Sequence, residues 1–317
     1  MSFEIQIDDS QEFPIILLLD NLSNCQATIY SFGGLLNTFS LPVNGTHQNI
    51  IAGFESIADA KLHMTNGFKS AKLAPFVCRL WEGKYNWMKQ SYQIEKFYLG
   101  NHAIHGIVYD AVFTIKSTET TTEKAAVVLA YNYTGSDKGY PFSFSLQVEW
   151  ILTTGNKLSV TSTVTNTNDC SIPFSDGWHP YFTLGNNVDN YRLQFDSNQQ
   201  LAFNADLLPT GDFITDNRFK DGTLLKGINL DNCFALNKAI QHPQCTLSNE
   251  TLLLRIEPDA NYPYLQIYIP ANRQSIAIEN LSAAPDAFNN KIGLLELEPY
   301  QQNHFSTSYT IELIELL

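Results

Sequence analysis

The chain has 317 residues, 44% of them hydrophobic and only 16% charged, with 19 basic against 32 acidic side chains and a formal net charge of −13. This composition supplies a sizeable core and excludes a disordered chain. A surface so acidic repels phosphate backbones and anionic lipid, so neither a nucleic acid nor a membrane is expected as a partner.

In chain order, the N-terminal stretch "MSFEIQIDDSQEF" is acidic and lacks the basic and apolar regions of a signal peptide. The apolar run "FPIILLL" is far too short to span a bilayer. A cytoplasmic protein is therefore expected. The five cysteines, Cys25, Cys78, Cys170, Cys233 and Cys245, agree with that compartment. Their number is odd, they form no CxxC or Cys/His metal spacing, and they read as reduced, mostly buried thiols. "IADAKLHMTNG" predicts one short helix. Period-two alternation then takes over. "DAVFTIK" and "AAVVLAYNY" are strand candidates rich in β-branched and aromatic residues. "FSFSLQVEW" sets Phe142, Phe144, Leu146, Val148 and Trp150 on one face, and "KLSVTSTVTN" does the same with Leu158, Val160, Ser162 and Val164. "YLQIYIP" alternates Leu265, Ile267 and Ile269 with Gln266 and Tyr268. "FSTSYTIEL" aligns Phe305, Thr307, Tyr309, Ile311 and Leu313. Turn signals such as "NGT", "TGSDKG", "TTGNK" and "PTGD" separate these runs. With no linker, composition break or clear repeat, the pattern predicts one all-β domain over residues 1–317, a large antiparallel β-sandwich with a broad sheet face for a sugar-sized ligand.

The chain lacks GxxxxGK[ST], a strand-linked GxGxxG, GxSxG and HExxH, which removes the common nucleotide, serine-hydrolase and zinc-protease readings. Its seven histidines can be weighed singly. His179 lies in "SDGWHPYFTLG", where Trp178, Tyr181 and Phe182 surround a titrating imidazole. A core histidine with a satisfied hydrogen bond is one reading, and an imidazole on the wall of an aromatic pocket is the other. His102 and His105 stand three apart in "LGNHAIHGIVYD", but no third ligand lies at convincing spacing, so no metal site is assigned. His47, His63, His242 and His304 lie in polar loop-like or turn contexts and read as solvated. Glu279 ends "SIAIEN", on the face opposite Ile276 and Ile278. A strand-end surface glutamate is the commoner case. In apolar company, however, its pKa rises toward what a general base near neutrality needs. Asp231, in "GINLDNCFALN", is explained by a turn or by ligand binding. Arg79, between Phe76 and Trp81, is either a surface arginine packed on an aromatic or a donor fork for hydroxyls.

Taken in order, "QATIYSFGGLLNTFSLP", "AGFES", "PFVCRLWEGKY", "NHAIHGIVYD", "DGWHPYFTLG", "LDNCFAL" and "IAIENLSAAPDAFN" resemble the aldose 1-epimerase (galactose mutarotase-like) family over nearly the whole chain. The resemblance implies a β-supersandwich and an isomerase that interconverts the α and β anomers of an aldose without a cofactor. It implies His179 as general acid and Glu279 as general base, with His105, Asp231 and Arg79 holding the sugar. Trp178 or Tyr181 would offer a ring to the sugar's C–H patches, and His102 would be an extra imidazole near the site. The family's Asn-Arg pair is here Cys78-Arg79, and its second glycine after His-Gly is Ile107. These departures bear on which sugar is taken. Scarcity of basic residues near these stretches favours a neutral aldose. A hexose-phosphate epimerase and a non-catalytic sugar-binding protein are the alternatives. A glycoside hydrolase is a third, needing two carboxylates at a defined separation.

Overall fold

The computed structural model describes residues 2–185, 187–237, 239–240 and 243–314. Two large antiparallel sheets dominate. The nine-stranded sheet runs Thr114–Thr120, Lys124–Tyr133, Phe144–Thr153, Lys157–Asn166, Gln302–Leu313, Leu252–Pro258, Cys245–Ser248, Arg192–Phe195 and Thr223–Leu224. The second runs Pro209–Thr215, Ser197–Phe203, Asp231–Leu236, Tyr264–Tyr268, Ile276–Leu281, Gly177–His179 and Ala71–Leu73, with Tyr181–Phe182 also paired to Ile276–Leu281. A five-stranded antiparallel meander, from Phe3–Asp8 to Thr46–Asn49, forms a further sheet.

Alternation decides which side chains meet between the large sheets. Phe144–Thr153 and Lys157–Asn166 show unbroken every-second-residue burial. Their inner residues meet the other sheet: Trp150 packs edge-on against Trp178 at 5.5 Å, and Trp178 donates Nε1–H to Ser162 Oγ at 3.2 Å. Thr307 Oγ1 donates to Asn280 Oδ1 at 2.9 Å, and Tyr309 packs on Phe182 at 5.5 Å. The apolar core linked by such contacts runs from Phe3 to Ile311.

The short helix is present as Ile57–His63, with Ser56 accepting the Asp59 N–H as its N-cap. The C-terminal strand departs from the sequence pattern at its end. Phe305, Thr307, Tyr309 and Ile311 are buried, but Leu313 is exposed because it reaches past the packed face. His47 and His304 lie on strands and not in loops, though both are exposed, as is His63. His242 lies outside the described residues. Among the described residues, no helix is long and apolar enough to cross a membrane.

Candidate active site

Because Trp178, Ile278 and Asn280 turn toward the nine-stranded sheet, their neighbours must face the other way. That outer face carries His179 and Glu279. Directly paired residues share a face, so Cys233, Gln266 and Glu279 form one row across three strands, and Asp231 and Tyr268 begin the next. Loops close over these rows to enclose a cavity of about 230 Å³. Arg79, His105, Tyr181 and Cys78 join its lining, as do Gln266 and Tyr268.

The loop walls are held in costly backbone conformations. Phe68, Cys78, His105 and Leu207 all line the cavity and all have positive φ, between 48° and 62°. Side-chain-bearing residues rarely adopt that region, and such strain gathers at working sites. Gly106, with φ +76°, explains how His105 is aimed inward. A Cβ there would sit 2.2 Å from the Ala74 carbonyl oxygen. That close approach lets Ile107 N–H donate to Ala74 O at 2.8 Å and His105 N–H to Cys78 O at 2.9 Å.

On the cavity floor His179 Nε2 stands 3.3 Å from Glu279 Oε1, with both side chains almost fully buried. Tyr181 stacks on His179 at 4.9 Å and His105 meets it edge-on at 4.8 Å. His105 Nδ1, His179 Nδ1, Glu279 Oε2 and Gln266 Oε1 have no hydrogen-bond partner within the protein. Asp231 Oδ1 accepts from Gln266 Nε2 at 2.8 Å.

Burial dominates the electrostatics. It raises Glu279 well above the ordinary carboxyl range; the Asp231 charge adds to this and Arg79 opposes it. It pushes His179 down to about 4. It lowers His105 strongly as well, with His179 and Arg79 contributing. Asp231 is also raised by burial, against Arg79 and the Gln266 hydrogen bond. Burial thus disfavours both charged forms of the pair, imidazolium and carboxylate.

Two expected site residues are not brought to the cavity. Trp178 faces the opposite side of its strand from His179 and is a sandwich-core residue. His102 accepts the Glu82 N–H on Nδ1 at 3.0 Å and stabilises a tight turn instead. The residues joined to His105 are His179 and Glu279. Gln266 and Tyr268 were missed, although "YLQIYIP" put both on one face. Lys72 and Asp176 were missed too. They form a fully buried ion pair behind the His179 strand, with Lys72 donating to Gly177 O at 3.2 Å and lying 4.6 Å over the Trp178 ring. Tyr262 Oη donates to Asp176 at 2.6 Å.

The family model for aldose 1-epimerase matches residues 16–310. The chain belongs to the aldose 1-epimerase family. It is 29% identical over 285 residues to the uncharacterized protein YihR of Escherichia coli (strain K12), covering 82% of this chain and 89% of that one. It is 22% identical over 205 residues to the maltose epimerase of Levilactobacillus brevis, covering 62% and 58%. In fold it is similar to a galactose mutarotase-like protein from Clostridium acetobutylicum, at 17% identity, TM-score 0.86 and 99% coverage of both chains. It is also similar to galactose 1-epimerase from Lactobacillus acidophilus NCFM, at 19% identity and TM-score 0.83, covering 99% of this chain and 100% of that one.

Proposed function

We propose that the protein is a cytoplasmic, single-domain aldose 1-epimerase that interconverts the anomers of a neutral aldose by general acid–base ring opening and closure. The buried His179–Glu279 pair, 3.3 Å apart on the cavity floor with one side-chain atom on each residue lacking a protein partner, carries this reading. Burying two titratable groups with unsatisfied atoms is costly in the empty protein. A protein that only held sugars has no need of that arrangement.

The reaction needs a proton removed from the C1 hydroxyl and another delivered to the ring oxygen. Sugar hydroxyls hydrogen-bonded to Glu279 replace the water its carboxylate lost, and Arg79 lowers its proton affinity. Both favour the imidazolium–carboxylate form of the pair. Glu279 then takes the C1 hydroxyl proton as the C1–ring oxygen bond breaks, and His179 donates to the ring oxygen. The free aldehyde rotates about C1–C2 and the two transfers reverse. Proton count is conserved at each step. Arg79, Asp231, Gln266 and His105 are the hydroxyl-binding groups, and Tyr181 offers a ring edge.

The test is polarimetric. Freshly dissolved α-glucose or α-galactose should reach anomeric equilibrium faster with the protein at neutral pH. No acceleration with any of several aldohexoses and pentoses would favour sugar binding without turnover. Release of sugar from a glycoside would instead point to a hydrolase using Glu279 and Asp231.

A further inference from the structure

His105, His179 and Glu279 come from a strained loop and two different strands, and each offers one ligand atom within 4.8 Å of the others. Two imidazoles and one carboxylate, with an open side toward a cavity, form the donor set of a zinc site with a free coordination position. The spacing fits. Ligands about 2.0–2.1 Å from a tetrahedral zinc stand about 3.4 Å apart, and His179 Nε2 and Glu279 Oε1 are separated by 3.3 Å. His105 needs to close by about 1.4 Å at most. A second observation is independent of spacing: His105 Nδ1 is a buried polar atom with no protein partner. Such groups recruit a ligand that satisfies them.

We propose that these three side chains also form a binding site for a borderline-soft divalent cation, best matched by Zn²⁺, and that the bound cation excludes the sugar. The cation ties up the lone pairs that the proton transfers use, so it inhibits. The His105 imidazole, whose Nδ1 has no carboxylate or carbonyl behind it, is a weakly oriented ligand. The site is therefore reversible, and chelators raise activity or leave it unchanged. Metal binding rests on the geometry alone, whereas its competition with sugar rests on the function proposed above.

Co²⁺ is the probe, because its visible absorption reports a low-coordinate nitrogen–oxygen site directly. The native protein should bind one Co²⁺ per chain, displaced by Zn²⁺ and weakened by an added aldose. Glu279→Gln, nearly isosteric, and His105→Asn should each weaken binding by at least about tenfold, since even outer-shell losses cost this much. His63→Ala, at the exposed His63–Asp59 pair, should not alter it. Unchanged Co²⁺ spectra in Glu279→Gln and His105→Asn, or loss of the spectrum in His63→Ala, would overturn the site. A protein that mutarotates normally yet takes up no Co²⁺ overturns the metal site alone. Co²⁺ that no aldose displaces overturns the competition and counts against the sugar cavity.

Discussion

For the proposed proton transfers His179 and Glu279 must hold one proton between them, and their burial sets the pH range over which they do so. Below the depressed His179 value, about 4, the pair gains a second proton and has no base. Above the raised Glu279 value it loses the only proton it has and has no acid. The profile of kcat/KM should therefore be bell-shaped, with its acid limb well below the ordinary imidazole value of about 6.5. An acid limb centred at that ordinary value would mean that His179 is hydrated in the working protein. Glu279→Gln and His179→Asn should each lower kcat by roughly 10²-fold or more. Asp231→Asn and Arg79→Ala should act at least partly on KM, because these groups are proposed to hold hydroxyls. Full activity in His179→Asn, measured polarimetrically, would show that the acid is another group. Cys78 stands where the family resemblance implies an asparagine. Its thiol is a poor donor, and burial together with the Glu279 charge raises its pKa well above the ordinary thiol value.

At the scale of elements, the strand Gly177–His179 serves two environments at once. Its outer side presents His179 to the cavity, and its inner side presses Trp178 onto Trp150. Lys72 lies directly across the ladder from Trp178. Its ion pair with Asp176 and its bond to Gly177 O tie the strand Ala71–Leu73 to the strand bearing the imidazole. Removing one member of a buried pair strands the other charge. Lys72→Met should therefore cost about 3–5 kcal/mol, seen as a lower urea midpoint. A variant as stable as the native protein would mean that Asp176 is protonated in the fold. The same alternation explains what the strand patterns did and did not reveal. "FSFSLQVEW" and "KLSVTSTVTN" each have one wet and one dry face, so their polarity pattern is legible. Ile276–Leu281 is buried on both faces, so its pattern separates Glu279 from Ile278 without telling which side is a cavity.

For the molecule as a whole, charge argues for an uncharged substrate. Arg79 is the cation among the cavity-lining residues, set against Asp231 and Glu279. The other basic residues near the site motifs are engaged elsewhere or exposed. Lys84 pairs with Glu82 at 2.7 Å, Arg273 with Asp189 at 2.7 Å, Lys291 donates to Phe288 O, and Lys89 lies on the surface. A phosphate dianion would meet little compensation there and a repulsive net charge on approach. The ratio of kcat/KM for glucose to that for glucose 6-phosphate should favour glucose at both low and high ionic strength. A preference for the phosphate that weakens as salt rises would move the protein to the hexose-phosphate branch.

Several strands, the short helix Ile57–His63 and the separation of Glu279 from its isoleucine neighbours were determined by the sequence itself, because period-two burial and turn residues are local properties of a chain, whereas the second short helix, Ala287–Asn290, was not read from it. The resemblance of several ordered motifs placed His179, Glu279, His105, Asp231 and Arg79 in one site. Only the tertiary structure decided that Trp178 and His102 turn away, that Gln266 and Tyr268 turn in, and that Lys72 and Asp176 pair behind the site. Those outcomes depend on which face of a strand meets a second sheet and on register between segments about a hundred residues apart. The protonation of the His179–Glu279 pair was likewise out of reach, because desolvation is produced by everything that packs around the two groups.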